Sequence, residues 1–75
     1  MDDGTLDLRG LKCPLPALFA KRALTRAAPG AVIDVLTDDP MAPVDVPHMC
    51  HQEGYEVIAT ATEGSITRMR VRRVS

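Results

Sequence analysis

From Ile66 to Val74 the chain alternates, with Thr67, Met69 and Val71 set against Arg68, Arg70 and Arg72. A period of two belongs to a strand whose two faces meet different surroundings, so one face of the sheet is covered and the other is wet. That requirement shapes everything upstream. A chain of 75 residues buries only about 60% of its unfolded surface, which leaves room for one domain, 1–75, and one core. With no Trp, Phe19 as its single Phe and Tyr55 as its single Tyr, the core must be built from aliphatic side chains.

The remaining elements read as follows. Thr5-Leu6-Asp7-Leu8 alternates and suits a short first strand, ended by Gly10. Pro16 to about Ala28 is rich in helix formers and stops at Pro29-Gly30. Within it Ala17, Ala20, Leu24 and Ala27 recur at helical spacing, a face small enough to lie close to a sheet. Ala31 to Thr37 is a β-rich run closed by Asp38-Asp39-Pro40. A second helix begins near Ala42 or Pro43 and ends at Gly54, aligning Val46, Met49, Cys50 and Glu53. Because an interior proline costs about 3 kcal/mol, Pro47 argues for a start as late as Asp45 or Val46. Tyr55 to Thr62 places Tyr55, Val57, Ala59 and Ala61 on one strand face, and Glu63-Gly64-Ser65 turns the chain into the last strand. The order β-α-β-α-β-β predicts an α+β, two-layer sandwich: a four-stranded mixed sheet with two helices on one face.

The chemistry concentrates in Gly10-Leu11-Lys12-Cys13-Pro14-Leu15-Pro16. Prolines at this spacing fit the first turn of a helix and little else, since each lacks an N–H and fixes φ near −65°. Cys13 therefore stands on a rigid helix start. A helix N-terminus stabilises an exposed anion by about 0.3–1 kcal/mol, and Lys12 adds to it, so a moderately acidified thiol is expected. Cys50 lies on the Val46–Met49 face and reads as a buried structural thiol, with a second sulfur-handling role as the alternative. His48 and His51 share a helical face while Cys50 points elsewhere, too few ligands for a structural zinc, so neither a metal nor a cofactor is expected.

Nine basic and ten acidic residues nearly cancel, which points to no bulk polyanion as partner. No apolar run approaches the roughly 20 residues that span a bilayer, and the acidic Met1-Asp2-Asp3-Gly4 start is unlike a secretory signal. The expectation is a cytoplasmic protein without membrane contact, where two cysteines are more often reactive or buried than bridged.

In order, the first strand, the G-L-K-C-P-L-P segment, Pro29-Gly30, Asp38-Asp39-Pro40 and Asp45-Val46-Pro47-His48-Met49-Cys50 resemble the TusA/SirA-like sulfur carriers. The match runs from about Thr5 to Arg73. The resemblance implies a carrier of the sulfurtransferase relay with the C-P-x-P cysteine, here Cys13, as its persulfide site. Lys12, Pro14 and Pro16 support that site. The resemblance also implies a cysteine desulfurase or other sulfurtransferase as donor and a downstream acceptor, often DsrE-like. Branches of the family serve tRNA thiolation, molybdenum-cofactor enzymes or dissimilatory sulfur metabolism. Leu15 fills a variable motif position where some tRNA-thiolation members carry an acid.

Leu18 and Phe19 cannot both join the Ala17/Ala20/Leu24 face, and Lys21 and Arg22 lie one to two turns from Cys13. These four are the expected docking residues. Two other readings stand beside the carrier. One is a non-catalytic nucleic-acid or protein-binding module using Arg68, Arg70 and Arg72, although direct RNA binding is not expected without interleaved aromatic residues. The other is a thiol–disulfide redox protein bridging Cys13 and Cys50.

Overall fold

The computed structural model describes residues 4–74, and the acidic Met1-Asp2-Asp3 start lies outside them. Six elements follow the expected order: β1 (Gly4–Asp7), α1 (Leu15–Arg26), β2 (Val32–Thr37), α2 (Ala42–Glu53), β3 (Glu56–Glu63) and β4 (Ile66–Arg72). They form one sheet of order β1-β2-β4-β3. β1 runs parallel to β2, while β4 is antiparallel to both β2 and β3. The sheet is mixed and the fold is α+β.

The alternation of β4 sets the layers. Thr67, Met69 and Val71 are buried and the three arginines are exposed. Ile33 and Val35 of β2 lie opposite Val71 and Met69 and extend the same covered face. Ala20 and Leu24 from α1, with Val46, Met49 and Cys50 from α2, close over it. Burial of aliphatic area of this kind is the main favourable term in so small a domain, at about 25 cal/mol per Å2.

Two expectations are corrected. α2 starts at Ala42, the earlier of the expected starts, and it is the later start argued from Pro47 that is corrected. The proline removes one helical N–H bond, but Ala42, Val46, Met49 and Cys50 are all buried by the continuous helix. The helix is also held at both ends. Asp39 Oδ2 accepts the Met41 amide at 3.0 Å, and the Met41 carbonyl accepts the Asp45 amide at 2.8 Å. At the other end Gly54 takes the left-handed conformation (φ 82°), and the Tyr55 amide reaches the Cys50 carbonyl at 2.8 Å. Tertiary packing outweighs the local proline penalty.

The second correction concerns β3. Val57 lies opposite Val71, but the register then shifts, so Ala59 and Ala61 face Arg70 and Arg68 while Thr60 and Thr62 face Met69 and Thr67. The extra residue, Ile58, is exposed. Such a bulge reverses the side-chain phase, so Ala59 and Ala61 leave the Val57 face on which strict alternation placed them. A 3.3 Å contact between the hydroxyls of Thr62 and Thr67 fixes the new register.

Candidate functional site

The starts of α1 and α2 meet at Cys13. The loop before α1 is fastened to the sheet layer: the Leu8 amide donates to the Leu36 carbonyl at 2.8 Å, and the Gly10 amide donates to Asp38 Oδ1 at 2.9 Å. Gly10 has φ 90°, a conformation that favours glycine, and it turns the chain out of β1. The Cys13-Pro14 bond is cis. Pro14 is the N-cap of α1 and exposed, while Pro16 occupies the first turn and is buried. Lys12 and Cys13 are exposed. The proline-rich start thus presents the thiol at the surface.

The expected acidification is overturned. Cys13 Sγ donates a 2.5 Å hydrogen bond to Asp45 Oδ2 on α2. That bond is the leading cause that pushes the thiol above its ordinary value, followed by lost hydration and by the charges of Asp45 and Asp39. Several of the α1 terminal amides are committed elsewhere or missing. The Leu15 amide is spent on the Lys12 carbonyl at 2.8 Å, Pro16 has no N–H, and the Leu18 amide goes to the Pro14 carbonyl at 3.2 Å. A helix end stabilises an anion through its unpaired N–H groups, and here a carboxylate dominates instead.

Asp45 is the site residue that sequence reasoning did not single out. It stands 32 positions from Cys13, and no local pattern links them. The available signal was its place in the Asp45-Val46-Pro47 segment, at the start of α2.

Exposed apolar side chains stand at both helix starts. Leu15 and Leu18 (59% exposed) come from α1, and Met41 and Val44 (59%) come from the start of α2. Met41 and Val44 were also missed by sequence reasoning, because each reads as an ordinary helix residue. Of the expected docking residues, Leu18 is outward, whereas Phe19 is half-buried and packs against the core. The Arg22 guanidinium lies 5.7 Å from the centre of the Phe19 ring. Lys21 pairs with Glu53 at 3.3 Å, tying α1 to the end of α2.

The other candidates are placed as follows. Cys50 is a free thiol with no exposed surface, and burial pushes it up to about 11. His48 and His51 are exposed. Among the described residues no three His, Cys, Asp or Glu side chains gather as a metal site. On the open sheet face Arg70 pairs with Asp34 at 2.8 Å and Arg72 with Glu56 at 2.5 Å. The basic stripe is therefore partly neutralised by its own neighbours.

The Sulfurtransferase TusA family model matches residues 4–73. Two Neisseria meningitidis proteins, from serogroups A and B, are each 41% identical over 66 residues, spanning 88% of this chain and 89% of theirs. Both are named as candidate sulfur carrier proteins. The crystal structure of a SirA-like protein from Desulfitobacterium hafniense superposes with a TM-score of 0.81 at 24% identity, covering 96% of this chain and 99% of that one. That likeness bears on the fold.

Proposed function

The chain belongs to the TusA sulfurtransferase family, and from that premise we propose that it carries sulfane sulfur as a persulfide on Cys13. The observation that supports this reading is a single exposed thiol where two helix starts meet, both of which also carry exposed apolar side chains, Leu15 and Leu18 on one and Met41 and Val44 on the other. Two different enzymes can reach such a sulfur in turn.

The transfer balances without an oxidant. The Cys13 sulfur attacks the outer sulfur of a donor persulfide, forming a new S–S bond as the donor's own S–S bond breaks. The donor cysteine leaves as a thiolate and takes up the proton that Cys13 gives up. The reverse exchange, onto an acceptor thiol, unloads the carrier. Donor and acceptor supply the pocket and the acid–base groups, which suits a body of 75 residues.

In this reading a cysteine desulfurase or other sulfurtransferase loads the protein and a DsrE-like or similar protein unloads it. Leu18 and the Phe19–Arg22 pair flank the approach, and Lys12, Pro14 and Pro16 hold the thiol outward. A cytoplasmic location fits, because a reducing compartment keeps both thiols free. No helix among the described residues is long and apolar enough to cross a membrane. The ion pairs of Arg70 and Arg72 weigh against a polyanion-binding strand face, and the burial of Cys50 weighs against a Cys13–Cys50 redox couple.

Incubation with a cysteine desulfurase and cysteine, followed by intact mass measurement, is expected to show one added sulfur. Cys13→Ala should abolish it and Cys50→Ala should retain it. Persistence of the added mass in Cys13→Ala overturns the reading.

A further inference from the structure

A carrier thiol must stay inert until its donor arrives, yet Cys13 is exposed. The 2.5 Å bond from its Sγ to Asp45 Oδ2 joins the loop before α1 to the first turns of α2. We propose that Asp45 is a positioning residue that latches empty Cys13 in its thiol form and releases the sulfur once it is loaded. The inference rests on the carrier reading of Cys13.

The argument is one of charge. A thiol S–H is a donor and a carboxylate accepts only, so the empty site is a matched pair. Only the thiolate attacks electrophiles, and a carboxylate at this distance disfavours it. The charged groups acting on Cys13 are Asp45 from α2 and Asp39 from the loop before it. Lys12, adjacent in the chain and exposed, is the cation at this end of the loop. A donor that docks over Cys13 presents its own sulfur. The Cys13 proton then passes to the departing donor thiolate.

Loading reverses the match. A persulfide is a stronger acid than a thiol and carries its charge on the outer sulfur. Beside Asp45 and Asp39 that anion has no hydrogen to offer and meets two like charges. Repulsion turns the loaded sulfur away from Asp45 and outward, where an acceptor docks. The latch therefore tells empty from loaded with no movement of the fold.

The test is the pH profile of iodoacetamide alkylation at Cys13, read by mass on the full chain. In empty protein Asp45→Asn is expected to react roughly fivefold faster at neutral pH, with its curve moved to lower pH. Asp45→Glu, which restores the charge, should return toward the parent curve. After loading with inorganic polysulfide, alkylation of the persulfide should differ by less than about twofold between Asp45→Asn and the parent. Superimposed curves for the empty proteins overturn the proposal, and so does equal acceleration of the empty and loaded forms. Should Asp45→Asn not fold, thiolate absorbance of the Cys50→Ala protein decides. A Cys13 midpoint above that of a free cysteine peptide supports the latch, and one at or below it refutes the latch. The empty-protein measurements need no sulfur donor, so their failure is distinct from a failure of enzymatic loading at Cys13.

Discussion

The two cysteines make opposite uses of one helix. Cys13 is exposed and bonds to the Asp45 carboxylate near the start of α2, whereas Cys50, five residues further along, is wholly enclosed by the core. Both thiols are held above their ordinary value, for different reasons. A hydrogen-bonded carboxylate leads at Cys13, and loss of water alone acts at Cys50. The first cause rests on one side-chain contact at the surface. The second is relieved only by unfolding. A raised pKa thus reflects a single surface contact in one place and enclosure by the core in the other.

The contrast breaks most severely under a charge. Cys50→Asp places an unpaired carboxylate in the core and should cost about 3–5 kcal/mol. That is comparable to the whole stability of a chain of this length, about 4–11 kcal/mol at 0.05–0.15 kcal/mol per residue. Loss of the cooperative urea transition is the expected result, and a transition close to the parent's would show that Cys50 is not enclosed. Truncation is gentler. Cys50→Ala removes one buried heavy atom and should cost about 1 kcal/mol, while Cys13→Ala should stay within about 0.5 kcal/mol of the parent. Urea midpoints at neutral pH compare them directly.

The smallest effect is alkaline. The folded value for Cys50 is raised from 9.0 to about 11. Between those limits the unfolded chain has lost its proton and the folded one keeps it, so stability is complete below the lower limit and declines as pH rises through the upper one. Cys50→Ala should flatten that decline in urea midpoints followed across the window. If the slope is unchanged, Cys50 does not titrate on unfolding.

Much of this was legible in the residues. The alternation of β4 announced a sheet with one covered face, and Thr67, Met69 and Val71 are buried as it required. Pro14 and Pro16 marked a helix start, and the Cys13 thiol stands exposed before it. Legibility failed where a local rule met a tertiary one. Pro47 argued against a continuous helix, yet burial of Ala42, Val46, Met49 and Cys50 holds one. Strict alternation put Ala59 and Ala61 with Val57, but the bulge at Ile58 moves them beside the arginines. A bulge has no fixed local signature, because it is chosen by the pairing of the partner strand.

Sequence alone determined the element order, the covered sheet face and the exposure of one cysteine, since each depends on periodicity and on the fixed geometry of proline. The state of that cysteine was decided only in three dimensions. An isolated helix start predicts a more acidic thiol, and the folded protein makes a less acidic one, because Asp45 arrives from 32 positions away. Charges act through space with a strength set by distance, and that distance is fixed by how α2 packs against the loop that carries Cys13.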